Sequence, residues 1–248
     1  MESIGREFIE RTKYKYLGES DQFRNLPQPP LELEAESNKK ILALPNPKAL
    51  EVNVKLVDAM ENRRSHRRYS DEPLTLEELS FLLWCTQGVK RISHNVTFRM
   101  VPSAGARHAF ETYILVNKVN GLSPGLYRYL ALEHKLQEVE IGDEIADKLA
   151  YACLGQTFIK ASAVTFIWLA VPYRMTWRYG ERGYRYMLLD AGHVAQNLYL
   201  AAEAIDCGSC VIGAYDDDAV NQLLGIDGKE QFAIYLATSG KKLVDMFK

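Results

Sequence analysis

The chain has 248 residues, 47% of them hydrophobic and 25% charged, with a formal net charge of −2. That length and balance allow a substantial core, as one large domain or two small ones, and exclude a disordered chain. A general nucleic-acid binder, whose basic residues would outnumber its acidic ones, is excluded as well.

The opening MESIGREFIERTKYKYLG has no apolar h-region, so no signal peptide is expected. Residues 1–60 read as an N-terminal extension that wraps a main domain over 61–248. LPQPP at 26–30 and LPNPKAL at 44–50 punctuate the extension. Between them LELEAES alternates apolar and acidic residues, as a short strand or an extended arm would. A helix is expected around 51–62. In TLEELSFLLWCTQG, Thr75 and Glu78 make a capping box, Leu76, Leu79 and Leu83 recur at helical spacing, and Gly88 supplies the stop. ETYILV at 111–116 reads as a strand, NGLSPG as a turn, and GLYRYL with ALEHKLQEVE as a hairpin.

A helix at 142–153 precedes AVTFIWLAV at 163–171, a continuous apolar run of central-strand length. The stretch MLLDAGHVAQNLYLAAEAI, within a long helix at about 183–206, is interrupted by Asp190, His193, Gln196 and Asn197. Those polar groups argue for a buried helix rather than a membrane span, and hence for a soluble, cytoplasmic protein. His193 is expected to be a satisfied structural histidine, and Asp190 and Asn197 to satisfy buried backbone or partner groups. SCVIGAY at 209–215 reads as a strand, DDDAVNQLLGI as a helix capped by Asp216, and FAIYLAT at 232–238 as a last strand before a short tail. Hairpin strands mix with helices without regular βα alternation, which is an α+β pattern. Cys207 and Cys210 have CxxC spacing, but no second Cys or His pair completes a metal site, so they read as packing residues.

The chemistry concentrates in RRSHRRYS. No GxGxxG after a strand, Walker loop, HExxH or GxSxG is present. Arg63, Ser65 and Arg67 stand at alternate positions, so in an extended segment their side chains share one face. Two guanidiniums and a hydroxyl aimed together suit a phosphate monoester. The competing reading of the same charge is a solvated run, or a helix C-terminus where arginine favours the dipole.

RRSHRRY resembles the opening motif of the nitroreductase superfamily of FMN-dependent oxidoreductases, and PSAGARHAFETYIL resembles its second motif. YRYMLLDAGHVAQNLYLAAEA and GSCVIGAYDDDAVNQLLGI resemble the long central helix and the segment after it. RSHRRY, LWCTQGV, VPSAGARH, GLYRY and RYGERGYRYMLLDAGH look most like the SagB-type branch, which includes dehydrogenases that oxidise peptide azolines. The resemblance implies a central, mainly antiparallel sheet flanked by helices, in an intertwined homodimer. It implies that Arg63 and Ser65 bind the FMN phosphate, with Arg67 nearer the ribityl chain and pyrimidine edge. Pro102, Ser103, Ala104 and Gly105 would lie against the flavin ring bound by the partner subunit. Ile212, Gly213 and Ala214 would offer backbone donors to the flavin, Gln156 would meet its pyrimidine edge, and Gly240 and Lys241 would contact its phosphate.

Azole-forming members carry a Lys-Tyr pair where this chain has Arg178 and Tyr179, the candidate catalytic positions. Arginine stays protonated and is a poor general base. The pair is therefore expected to shape the pocket mouth, with Tyr179 able to donate or relay a proton. The implied activity is hydride transfer between a reductant such as NAD(P)H and a small organic or peptide-derived acceptor. The rival reading is a non-redox flavin or nucleotide carrier, or a structural partner in a peptide-modifying complex. No metal, nucleic acid or membrane enters either reading.

Overall fold

The computed structural model describes residues 3–243. The short tail expected after the last strand falls largely on 244–248, outside the described residues. In chain order the elements are α1 (Ile4–Arg11), β1 (Ile41–Ala43), α2 (Leu56–Asn62), α3 (Leu76–Gln87), β2 (Val89–Ser93) and β3 (Val96–Arg99). Then come β4 (Phe110–Val116), β5 (Gly125–Leu130), β6 (Lys135–Ile141), α4 (Glu144–Ala152), α5 (Phe158–Ala161) and β7 (Val164–Ala170). The chain continues through α6 (Tyr173–Tyr179), α7 (Arg182–Glu203), β8 (Cys207–Ile212), α8 (Asp217–Leu223) and β9 (Phe232–Lys241).

Seven strands form one sheet in the order β1-β6-β5-β4-β7-β9-β8, every neighbouring pair antiparallel, and β2 and β3 form a separate hairpin. The α+β expectation of an antiparallel sheet between helices holds. The apolar run of β7 is explained by burial on both faces. Val164, Phe166, Trp168 and Ala170 enter one core with α3 and α7, while Ile167 and Leu169 enter a second with α4, α5 and α8. Alternate side chains of one strand thus build two cores.

The capping box forms as read: the Glu78 N–H donates to Thr75 Oγ1 at 3.2 Å and the Thr75 N–H to Glu78 Oε2 at 2.9 Å. Asp216 caps α8 by accepting from the Ala219 N–H at 2.9 Å. The expected helix at 51–62 begins only at Leu56, and LELEAES forms no strand. The backbone groups of residues 30–34 instead bond Glu111 and arginines of β3, β5 and α6. Arg128 Nη1 donates to the Glu34 carbonyl at 2.9 Å, Arg174 Nε to Pro30 at 2.8 Å, and Arg99 Nη2 to Leu31 at 3.3 Å. His193 is a correction too. Its side chain is 53% exposed on α7, 4.0 Å from Asp190, so it satisfies no buried group. Asn197, by contrast, donates to the Cys85 carbonyl at 2.9 Å. Cys207 and Cys210 are buried and unbridged, and burial pushes the Cys207 thiol up to about 12. Among the described residues no helix is long and apolar enough to cross a membrane.

Candidate active site

The residues singled out from sequence gather at two places along α7 and at a corner beyond the end of β8. The first is built by the arginine-rich segment. After α2, residues 63–70 run along the free edge of β8, where Ser65 forms a parallel bridge with Ser209 and the His66 N–H donates to the Ser209 carbonyl at 2.9 Å. Gly208 permits this approach, since a Cβ there would sit 2.6 Å from Cβ of His66. Tyr69 pins the far end by donating to the His66 carbonyl at 2.6 Å. Burial, then the nearby Lys242, lowers the His66 pKa, so this histidine is neutral at pH 7.

Tyr199 of α7 holds the segment from below. Its hydroxyl accepts from the Val211 N–H at 3.1 Å and lies 2.9 Å from Ser65 Oγ, while the Arg63 guanidinium stacks 5.2 Å over its ring. With the tyrosine able to donate to Ser65, the serine proton is free to point outward. Among the described residues Arg63, Arg64, Arg67 and Arg68 have no ion-pair partner; nearby Glu203 is bonded to Lys242 at 2.6 Å. This is a shelf of uncompensated guanidiniums beside a hydroxyl, suited to a dianionic phosphate. Tyr199→Phe is expected to lower stability by about 1–2 kcal/mol, because it strips a partner from the Val211 N–H and from Ser65. Thermal unfolding checks this.

Sequence reasoning passed over Tyr199 as one more buried helix residue. Its signal was present all the same, since a tyrosine among alanines and leucines on a buried helix needs a partner for its hydroxyl.

Beyond the end of β8, Gly213 and Ala214 are exposed, and their N–H groups make no hydrogen bond among the described residues. Ile212, just before them, is buried in the core. Gln156 is brought to the same corner, where its Nε2 donates to the Ala214 carbonyl at 2.7 Å and to Cys153 at 2.9 Å. Its amide nitrogen therefore shapes the corner. Gly240 is buried beneath Tyr69, where a Cβ would meet Tyr69 Cδ1 at 3.1 Å. Lys241 is ion-paired with Glu78, whose other oxygen serves the capping box. The structure thus gives both residues internal roles.

The second place is the PSAG turn. The Ala104 N–H donates to the Asp190 carboxylate of α7, 3.3 Å from each oxygen, and Ser103 Oγ accepts from the His108 N–H at 2.9 Å. Asp190, itself buried, therefore satisfies a part-buried backbone group. Gly105 has φ +56°, and a Cβ there would lie 2.3 Å from the Tyr179 hydroxyl and 3.1 Å from Arg178 Nε. Arg178 and Tyr179, at the end of α6, thus pack directly on the turn. Pro102 and Gly105 are exposed, leaving a small-residue surface that a flat ring can approach. Asp190 and Tyr199 are nine residues apart on α7, roughly 13 Å along its axis. One chain therefore presents the shelf and the turn as separate surfaces.

A model of the nitroreductase family matches residues 60–241. The chain belongs to the nitroreductase family. Its relatives include the nitroreductase-family protein MJ1384 of Methanocaldococcus jannaschii, 37% identical over 191 residues, which are 77% of this chain and 92% of that protein. The trifolitoxin operon protein TfxC of Rhizobium leguminosarum is 27% identical over 198 residues, 75% of this chain and 55% of TfxC. Among solved structures, a nitroreductase-family protein of Ralstonia eutropha aligns with TM-score 0.68 at 23% identity, covering 88% of this chain and 95% of its own. Another, from Desulfovibrio desulfuricans in complex with FMN, aligns with TM-score 0.53 at 18% identity, covering 76% and 86%. The nitroreductase family match begins at residue 60, so the N-terminal strap lies outside it.

Proposed function

We propose that the chain is an FMN-dependent oxidoreductase of the SagB-type branch, working as a homodimer and accepting electrons from NAD(P)H for delivery to a small organic or peptide-derived acceptor. The observation that carries this reading is the arginine shelf. Among the described residues its guanidiniums have no acid partner, the Ser65 hydroxyl stands beside them within reach of Tyr199, and the Gly213 and Ala214 N–H groups make no hydrogen bond. An unpaired cationic cluster fits a phosphate group, and exposed backbone donors fit a polar ring edge, so the residues present fit FMN. The likeness to a trifolitoxin operon protein favours the SagB-type branch.

When bound, FMN supplies a carrier that takes up hydride and passes it on. The chain's own residues place it. Arg63 and Ser65 would grip the phosphate, with Tyr199 fixing both. Arg67 would reach the ribityl chain and pyrimidine edge, and its fixed charge would favour negative charge developing there. Gly213 and Ala214 would donate from the backbone. The small-residue turn Pro102–Gly105 would cover the ring from a second copy, with Arg178 and Tyr179 at the mouth.

A second copy also fits the surface. Leu188 and Leu189 of α7 are 56% and 57% exposed, and Leu56, Val57 and Met60 of α2, a helix that contacts α7, are exposed as well. Apolar groups so placed on packed helices favour association.

Flavin absorbance tests the reading. The purified chain is expected to bind FMN, to bleach with NADH or NADPH, to recover its colour with a nitroarene, and to run as a dimer in sedimentation. Flavin that no reductant changes would instead indicate a carrier. A monomer that ignores FMN would remove the proposal.

A further inference from the structure

The N-terminal segment crosses a gap between two anchors. At its start, Arg182 Nη1 donates to the Thr12 carbonyl at 2.8 Å and Arg185 Nε to Thr12 Oγ1 at 3.0 Å, both from α7. At its end, the Gln22 N–H donates to the Trp177 carbonyl at 2.8 Å, and Trp177 Nε1 to Leu26 at 3.0 Å, on α6. Beneath the span opens a cleft of about 610 Å³, walled by Tyr14, Leu17 and Phe23 from the segment and by Arg178 and Tyr179 from α6. Because Tyr179 and Arg178 also rest on Gly105, the cleft adjoins the PSAG turn.

Two features of the walls are unusual. Tyr14 and Phe23 are 74% and 71% exposed, two aromatic rings left in solvent at one opening. A cation on the wall is also left without a partner. Arg178 makes no hydrogen bond or ion pair among the described residues, its guanidinium lying 5.5 Å from the Tyr179 ring. Arg182, stacked 5.8 Å from the Tyr14 ring, bonds only a hydroxyl and a carbonyl. Arg107 lies near enough that repulsion from Arg178 adds to burial in lowering its pKa. Glu19 is the carboxylate on the same wall, and it makes no ion pair with Arg178 among the described residues.

We propose that this cleft is the substrate site and that it selects a small aromatic carboxylate, its ring held between Tyr14 and Phe23 and its carboxylate forked on Arg178. The ring would cover apolar surface now in water, and the planar guanidinium matches a carboxylate in bidentate geometry. A neutral amide of the same shape keeps the ring contact but offers the guanidinium one uncharged acceptor in place of a charged, forked pair. Calling the ligand a substrate rests on the oxidoreductase reading; its binding does not.

Calorimetric titration of the full-length chain with benzoate and with benzamide, in the presence and absence of FMN, tests this. Benzoate is expected to bind about tenfold more tightly than benzamide or better, the gain of a hydrogen bond to a charged group. Arg178→Gln should abolish the preference, weakening benzoate far more than benzamide, and Tyr14→Ala with Phe23→Ala should weaken both ligands alike. Equal affinities, a preference that survives Arg178→Gln, or no binding of either probe would overturn the proposal. Flavin content separates the two readings. A flavin-free chain with the benzoate preference sinks the oxidoreductase reading alone, and a flavin-loaded, NAD(P)H-reducible chain without it sinks the cleft alone.

Discussion

A chain carrying both Arg63→Ala and Arg67→Ala is expected to lose at least about a hundredfold in FMN affinity, two charge-assisted hydrogen-bond sets at about 1.5–3 kcal/mol each. Its unfolding temperature should barely move. The asymmetry follows from the structure. Neither arginine is ion-paired among the described residues, so removing them orphans no buried carboxylate. Arg67 is exposed, and Arg63 forfeits its stack on Tyr199, worth about 0.5–1 kcal/mol at such a site. Arg64→Ala with Arg68→Ala removes the same charge from positions that do not share the Ser65 face, and is the control. It should cost less than about threefold, in keeping with the small contribution of exposed charges. The wild-type affinity should fall as salt is raised, because the shelf is open to solvent. Flavin absorbance titrations and thermal melts on the three proteins decide the matter. Undiminished binding by the first double variant would remove the shelf as the phosphate site.

Features legible in the sequence were those set by neighbours in the chain. The capping box of Thr75 and Glu78, the Asp216 cap and the two-sided run of β7 each depend on a few adjacent residues, and each formed where the pattern put it. The cluster RRSHRRY was legible for the same reason, since its charge density is local. What escaped depends on partners far away in sequence. The resemblance set Lys241 against a phosphate, whereas β9 brings it beside Glu78, 163 residues earlier. Tyr199 gained its role only when Ser65, 134 residues away, came to lie on the edge of β8. The hairpin of β2 and β3 turns at His94 and Asn95 with His94 at φ +49°, a weaker turn signal than glycine gives. The strap was hardest to read. Its backbone forms almost no ladder, so neither alternation nor propensity describes it, and its partners are side chains from β3, β5 and α6.

That strap supplies the second large expected effect. Glu111→Gln should destabilise the protein by about 3 kcal/mol or more, the cost of leaving buried cations uncompensated, and should free the N-terminal segment. Glu111 is only 3% exposed on β4. Its Oε2 lies 3.2 Å from Arg128 Nη2, its Oε1 bonds Arg174, and the Leu33 N–H donates to it at 2.9 Å. The same two arginines hold the strap through the carbonyls of Pro30, Leu33 and Glu34. One carboxylate thus neutralises and aims the donors that keep residues 30–34 in place. Unfolding temperature should fall by on the order of 10 °C for a chain of this length, and limited proteolysis should cut first within 20–40. Because Arg63, Ser65 and Arg67 sit at the far end of α7, the variant should keep its affinity for FMN, while loosening that reaches Tyr14 and Phe23 should weaken benzoate and benzamide alike. A wild-type melting temperature with an uncut strap would show that Arg128 and Arg174 hold the segment without Glu111, and the role given to this carboxylate would fall.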